Sequence, residues 1–310
     1  MLGSVEPVRR PSPVYGMLLG AVLLWALNVT VTKYMFEHGW LPLAYGTIRY
    51  FAAISLFWIF TYRREGSFRI AREDWQYVAI AAAMIFINQI AFVYSLKFAQ
   101  ASTVSLLFGT TPVFVAIVSL IFRLERLTRA FWVGAVLTFA GVALVAAGAG
   151  GGFSSSTKGN LIAICTALTW ACYTVAIAPL MRKYSPYRIS AVVLALGWAP
   201  LALISIPQIS RQQFHFGTLT WVGFAYAVVG PLFLTNLLWF TAVSRVGAAR
   251  AVIVNNLQPF FGVLFALLLL SESLHPLEIA GGVLIFIGIF LERRLRQQAV
   301  AEAAALDAPP

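Results

Sequence analysis

Long apolar runs separated by short polar stretches fill most of the 310-residue sequence. A helix needs about 20 apolar residues to cross roughly 30 Å of hydrocarbon, and each run is long enough to do so. Ten such runs lie at 15–36, 41–62, 75–95, 102–122, 129–148, 159–181, 186–207, 218–241, 251–270 and 276–292. The pattern therefore predicts an all-α integral membrane protein with ten transmembrane helices.

Composition and charge support the same fold class. Hydrophobic residues make up 60% of the chain and charged residues 11%, and the net charge is +11. The lysines and arginines lie mainly between apolar runs, on the side of the membrane that both termini share, so they indicate orientation rather than nucleic-acid binding. We expect a multi-pass protein of the plasma (inner) membrane, surrounded by the lipid bilayer, with both termini in the cytoplasm.

The sequence also repeats itself. Three residues in and just before the fifth run recur at a constant offset of 147, and a proline of the fourth run recurs with them. The pairs are Glu125 and Glu272, Gly134 and Gly281, Gly141 and Gly288, and Pro112 and Pro259. This spacing indicates a duplication, with a first five-helix repeat over 1–148, a Gly/Ser-rich linker over 149–158, a second repeat over 159–293 and a cytoplasmic tail over 294–310.

Five helices is an odd number, so the second repeat must enter the membrane from the opposite side. Two such inverted-topology repeats can adopt two similar shapes, one open to each side of the bilayer. This symmetry favours a transporter that works by alternating access. The alternative is a duplicated structural or assembly protein whose symmetry only reflects its ancestry.

Two aromatic or amide residues fall near the middle of the first helix of each repeat. Trp25 and Trp170 lie deep in their runs, away from the interfaces where tryptophan usually collects. Asn28 and Tyr173 follow three residues later, on the same helix faces. Together they could form the apolar walls of a central solute cavity. Packing between helices or against lipid is the alternative.

Further amide side chains lie deep in the predicted spans. Asn88 and Gln89 are in the third, Asn236 is in the eighth, and Asn255 and its neighbours are in the ninth. An amide that faces lipid is unfavourable, so these groups indicate either a hydrated cavity or hydrogen bonds between helices. Their number favours the cavity.

Three prolines interrupt the predicted spans. Pro112 and Pro259 are related by the repeat, and Pro231 follows Gly230 in the eighth span. Each proline removes one helical hydrogen bond and frees a carbonyl group. These positions could be hinges that bend during gating, or kinks that only shape the packing.

Arg49 is a cation well inside a predicted span. An ionisable group at this depth is a candidate functional residue, and its guanidinium could bind a substrate carboxylate in the cavity. Alternatively, Arg49 could extend toward the interface or pair with Glu37. Its repeat counterpart is close to Val193, so such a carboxylate site would be asymmetric.

The sequence lacks the residues of a metal centre or an acid–base catalyst. No aspartate or glutamate lies in the middle of a span, and the three histidines fall in predicted loops. Glu125 and Glu272 lie at helix ends, where solvation or capping of the following helix is expected. We therefore expect neither a cofactor nor a catalytic site, and the chain is not expected to be an enzyme.

The repeated Glu, Gly and Gly pattern resembles the EamA type of the drug/metabolite transporter superfamily. Within that superfamily the chain looks most similar to the YddG-type exporters of aromatic and other amino acids. The resemblance implies that helices one to four and six to nine surround a cavity, with five and ten behind it. The residues near the path would be Trp25, Asn28, Arg49, Asn88, Trp170, Tyr173, Asn236 and Asn255.

These observations favour a secondary transporter that exports aromatic or aliphatic amino acids, or related small metabolites. Exporters of cationic drugs would need a membrane-embedded glutamate, and phosphate-bearing solutes would need several buried cations, whereas only Arg49 is deep. An exporter of another metabolite or drug-like solute is the alternative, and a passive channel or a membrane enzyme would be a different class. We expect a monomer or a homodimer.

Overall fold

The computed structural model describes residues 13–123, 129–148, 155–246 and 254–306, and over these residues the chain is helical with no strand. The α-helices in chain order are α1 (Pro13–Glu37), α2 (Pro42–Glu65), α3 (Trp75–Phe98), α4 (Ala101–Phe108), α5 (Thr111–Ile121), α6 (Arg129–Gly148), α7 (Ser155–Ile177), α8 (Pro186–Ile209), α9 (Thr218–Val228), α10 (Thr235–Val246), α11 (Gln258–Leu269) and α12 (Pro276–Leu306).

Over the described residues, eight helical segments are long and apolar enough to cross a membrane, and two shorter apolar helices lie at Gln258–Leu269 and Pro276–Leu291. The predicted class, a multi-pass α-helical membrane protein, is confirmed. The ten-span count and the opposite insertion of the two repeats stay predictions. Glu125, most of the linker and the start of the ninth run at 251–253 lie outside the described residues. α7 begins at Ser155 and α12 runs to Leu306, so parts of the predicted linker and tail are helical.

Two of the predicted spans are broken helices. The run at 102–122 divides into α4 and α5, with a turn at Gly109 and Thr110 just before Pro112. α9 and α10 are joined by a π-helical stretch, Val229–Leu234, which contains Pro231. A turn at Asn256 and Leu257 precedes α11, and Pro259 is the second residue of that helix. Because proline cannot donate the helical hydrogen bond, all three predicted breaks coincide with irregular backbone.

Helices from the two halves of the chain pack against each other rather than forming separate domains. α2 packs on α8, α3 on α7, α4 on α11 and α6 on α12, while α1 lies between α10 and α11. One large buried cluster joins α3 and α4 to α7 and α12, and another joins α2 and α3 to α7 and α8. Polar groups of α1, α2 and α3 are thereby enclosed inside the bundle.

The repeated glycines allow α6 and α12 to approach very closely. A Cβ atom added to Gly281 would lie 2.5 Å from the carbonyl oxygen of Gly141, and one added to Gly288 would lie 2.6 Å from that of Gly134. Only glycine tolerates backbones at this distance. The repeated glycines therefore serve to pack the two halves of the chain against each other.

Glu272 corrects one prediction about the helix ends. Rather than capping the helix that follows it, its carboxylate accepts hydrogen bonds from the backbone N–H groups of Ala101 and Ser102, each at 2.8 Å, and from the Ser102 hydroxyl at 2.6 Å. It therefore caps α4, in the other half of the chain. The helix after Glu272 is capped by Glu278, which accepts from the N–H of His275. Sequence proximity favoured the nearer helix, but tertiary packing brings Glu272 to the first N–H groups of α4, which have no partner within that helix.

Replacing Glu272 with alanine is expected to lower the free energy of unfolding by about 2 kcal/mol, because the capping bonds to a charged acceptor are lost. The midpoint of thermal unfolding of the purified protein in detergent measures the effect. Glu37→Ala is the matched control, since Glu37 is exposed at the end of α1. Equal midpoints for the two variants would show that the cap contributes little.

Candidate functional site

Arg49 is the centre of a polar cluster inside the bundle. It lies in the first half of α2, and its side chain is only 1% exposed. Its Nη1 donates to Oδ1 of Asn28 on α1 at 3.1 Å, and its Nη2 donates to Oε1 of Gln89 on α3 at 3.2 Å. The Nε–H is buried without an acceptor. The guanidinium is thus fixed by two neutral amides and keeps a free donor.

Aromatic rings surround the guanidinium of Arg49. Its carbon lies 5.0 Å from the ring centre of Tyr45, 5.5 Å from that of Phe92 and 5.7 Å from that of Tyr50. The negative faces of such rings attract a cation but do not neutralise it. Arg49 forms no salt bridge within the described part of the chain. Arg49 is therefore a buried guanidinium with no anionic partner among the described residues.

The cluster continues from Gln89 into the second half of the chain. Nε2 of Gln89 donates to Oδ1 of Asn88 at 3.2 Å. Nδ2 of Asn88 donates to the carbonyl oxygen of Thr166 at 2.8 Å and to the hydroxyl of Thr169 at 3.2 Å, both on α7. The network joins α1, α2, α3 and α7. Three of the predicted site residues, Asn28, Arg49 and Asn88, are brought together by it.

The predicted tryptophans have different neighbours. The ring centres of Trp25 and Trp239 of α10 lie 5.4 Å apart, and those of Trp170 and Tyr173 lie 5.3 Å apart. Trp170 is 36% exposed, whereas Tyr173 is buried in the cluster that contains Tyr50. Asn236 uses its amide to donate to the carbonyl of Leu232, one turn earlier along the chain.

A narrow crevice lies between α1, α4 and α11. Its lining residues are Ala26, Val29, Ser105, Phe108, Gln258 and Pro259. In this conformation it is too narrow to hold a water molecule. Asn255 and Asn256 precede the two lining residues of α11, and the Oδ1 atom of each is buried without a hydrogen-bond partner.

One end of the bundle is closed by aromatic rings and amides. The ring of Trp40 stacks on those of Phe216 and Phe224, with ring centres 4.8 Å and 5.1 Å apart. Gln212 and Gln208 accept hydrogen bonds from the backbone N–H groups of Leu41 and Leu43, each at 2.8 Å. These contacts tie the start of α2 to the end of α8. Because the contacts join residues far apart in sequence, no local pattern indicated them.

The opposite end of the same helix pair is closed by charges. Nη2 of Arg188 lies 2.8 Å from Oε2 of Glu65. Nζ of Lys183 lies 2.9 Å from Oδ1 of Asp74 and 3.0 Å from Oε1 of Glu73. Hydrogen bonds to Asp74 and then Glu73 raise the pKa of Lys183, so the link stays charged at neutral pH. These ion pairs and the contacts at the other end hold α2 against α8 along its length, with Arg49 buried between them.

Comparison with known proteins identifies the family. The profile of the EamA-like transporter family matches twice, over residues 12–147 and 157–292. The chain belongs to this family. The double match confirms the predicted duplication and the predicted resemblance to EamA transporters of the drug/metabolite superfamily.

Several relatives of this EamA-like chain are also named transporters. An uncharacterized transporter of Archaeoglobus fulgidus is 25% identical over 253 residues, which are 81% of this chain and 87% of that protein. The uncharacterized transporter YetK of Bacillus subtilis is 23% identical and covers 96% of this chain, with 92% of YetK matched. A probable terminal-alkyne amino-acid exporter of Streptantibioticus cattleyicolor is 26% identical over 63% of this chain and 64% of its own length.

A solved crystal structure has the same fold. It superposes with a TM-score of 0.64 at 20% sequence identity, covering 96% of this chain and all of the other. At this identity the likeness supports the fold alone. The chemistry of the site has to be argued from the side chains of the EamA-like chain itself. Among the described residues, no cluster of three histidines, cysteines or acidic residues could hold a metal ion.

Proposed function

We propose that this EamA-like transporter exports amino acids, or related small metabolites with a carboxylate, across the plasma membrane by alternating access. The observation that carries the proposal is the buried guanidinium of Arg49, which is held by two amides and three aromatic rings and has a free Nε–H. The site would select a solute that brings its own negative charge.

The energetics of burial support this chemistry. Moving a charged group out of water costs several kcal/mol unless an opposite charge or enough hydrogen bonds compensate it. A bound carboxylate would supply the missing charge, and it could accept from Nε and Nη2 along one edge of the planar guanidinium. The rings of Tyr45, Tyr50 and Phe92 offer apolar walls to the rest of the solute.

The helix breaks and the duplication support the mechanism. In the proposal, two five-helix repeats of opposite insertion, ten spans in all, rock about the central site while both termini stay in the cytoplasm. Pro112, Pro231 and Pro259 would act as hinges at the irregular segments of the two halves. Trp25, Trp170, Tyr173, Asn236 and Asn255 stay proposed contacts along the path. The name of the Streptantibioticus relative favours amino acids among carboxylate solutes.

Counterflow in proteoliposomes tests the proposal. Vesicles that contain the purified protein and are preloaded with an unlabelled amino acid are expected to take up the same labelled amino acid several times faster than unloaded vesicles. The acceleration arises because a carrier returns loaded more readily than empty. A panel of aromatic and aliphatic amino acids is screened, with protein-free vesicles as the control.

Each result distinguishes one class of protein. Uptake without acceleration by internal solute would indicate a channel, and chemical conversion of the label would indicate an enzyme. Acceleration by drug-like amines but not by any carboxylate solute would overturn the assignment of Arg49 to an anion and favour a drug exporter.

A further inference from the structure

Three buried oxygen atoms, one in α4 and two in the residues just before α11, have no hydrogen-bond partner among the described residues. They are the hydroxyl of Ser105 and the Oδ1 atoms of Asn255 and Asn256. Ser105 lines the crevice and is only 2% exposed, and its hydroxyl faces Gly262 of α11, where an added Cβ would lie 2.5 Å from the oxygen. Leaving such groups unpaired costs about 1–3 kcal/mol each, so a partner for them is expected in some functional state.

Two backbone carbonyl groups around these oxygens also lack their helical N–H donor. Pro112 has no N–H for the carbonyl of Phe108 at the end of α4, and Pro259 has none for the carbonyl of Asn255. The C-terminal end of α4 also carries a partial negative charge. None of the described residues that line the crevice is charged. Over the described part of the chain, the surroundings of the crevice are therefore rich in acceptors and lack a cation.

The crevice is close to the guanidinium of Arg49. The ring of Phe92 lies 5.5 Å from that guanidinium and 6.2 Å from the ring of Phe108, which lines the crevice. Asn28, which accepts from Arg49, lies between the lining residues Ala26 and Val29 in a single turn of α1. One solute could reach both places when the helices move apart.

We propose that the oxygens of Ser105, Asn255 and Asn256 form the site for the protonated amine of the transported solute. The inference rests on the proposed function, in which Arg49 binds the carboxylate of the same molecule. A primary ammonium has three N–H donors, so it can satisfy up to three such oxygens in a state where the helices bring them to one solute. Amide oxygens suit such a group because they bind a cation without forming a permanent ion pair, so the solute can leave.

The test compares competitors that differ by one functional group. The full-length protein in proteoliposomes is assayed by counterflow of a labelled amino acid that it exchanges. The competitors are phenylalanine, hydrocinnamate, which lacks the amine, and phenethylamine, which lacks the carboxylate. For the wild-type protein, phenylalanine is expected to compete about tenfold better than hydrocinnamate, as a charge-assisted hydrogen bond would give.

Ser105→Ala and Asn256→Ala are each expected to remove this preference, so that the ratio of competition by phenylalanine to competition by hydrocinnamate is close to one. The ratio is taken within one preparation, so partial loss of folded protein cancels. Ser55→Ala is the matched control, because that hydroxyl donates to the Phe51 carbonyl of its own helix, and its ratio is expected to equal that of the wild type. Should the variants fail to fold, thermal stabilisation of the wild-type protein in detergent by phenylalanine must exceed stabilisation by hydrocinnamate.

The same assay distinguishes a wrong amine site from a wrong proposed function. A wild-type protein that exchanges phenylalanine and hydrocinnamate equally well would still be a carboxylate carrier, but it would have no amine site. If the preference for phenylalanine over hydrocinnamate disappears in sodium-free medium, the three oxygens would be assigned to a metal cation instead. Absence of counterflow with every carboxylate solute would overturn the proposed function itself.

Discussion

Replacing Arg49 with alanine is expected to reduce the apparent affinity for carboxylate solutes at least about thirtyfold, equivalent to about 2 kcal/mol. Transport of the corresponding carboxamides is expected to change much less, because their uncharged group gains little from a guanidinium. The reason is that Arg49 is buried, fixed by Asn28 and Gln89, and without an anionic partner among the described residues. Counterflow rates over a series of solute concentrations measure both constants.

Two further variants separate binding from folding. Arg49→Lys keeps the charge but loses the planar pair of donors, so an intermediate loss is expected for carboxylates. Arg64→Ala is the matched control, since Arg64 lies at the end of α2 and contacts the ring of Phe60. An equal loss for carboxylates and carboxamides in Arg49→Ala would assign Arg49 to structure and leave the solute site elsewhere.

Much of the fold was predictable because the bilayer imposes a simple rule on sequence. A span must be apolar over its whole length, so the approximate positions of the eight long apolar segments followed from hydropathy. The breaks at Pro112, Pro231 and Pro259 were also predictable, since the missing N–H is a property of the residue itself. The pairing of α2 with α8 was not, because packed and lipid-facing sides of such helices are equally apolar.

The site was predictable only in part. Buried polar residues are rare in spans, so Arg49, Asn28 and Asn88 were found from their residue types, and the structure joins them through Gln89. The rings of Tyr45, Tyr50 and Phe92 were missed because aromatic residues are common throughout this chain. The partner of Glu272 was missed for another reason. It lies in the other half of the molecule, where sequence distance carries no information.

Replacing Gly281 with alanine is expected to lower the free energy of unfolding by about 1–3 kcal/mol, although alanine is the better helix former. Its Cβ would lie 2.5 Å from the Gly141 carbonyl oxygen and 2.7 Å from the backbone nitrogen of Val145. Both are backbone atoms of α6, so the helices can only move apart.

Gly16→Ala provides the matched control, since a Cβ added there has no atom within 4 Å. Gly16 lies inside α1, so the same substitution is expected to raise stability by about 0.5–1 kcal/mol, the ordinary advantage of alanine over glycine in a helix. Midpoints of thermal unfolding in detergent should therefore move in opposite directions for the two variants. A rise in both would mean that close contact between the repeats is not what holds α6 against α12. The glycines shared by the two halves would then need an explanation in the gating motion rather than in packing.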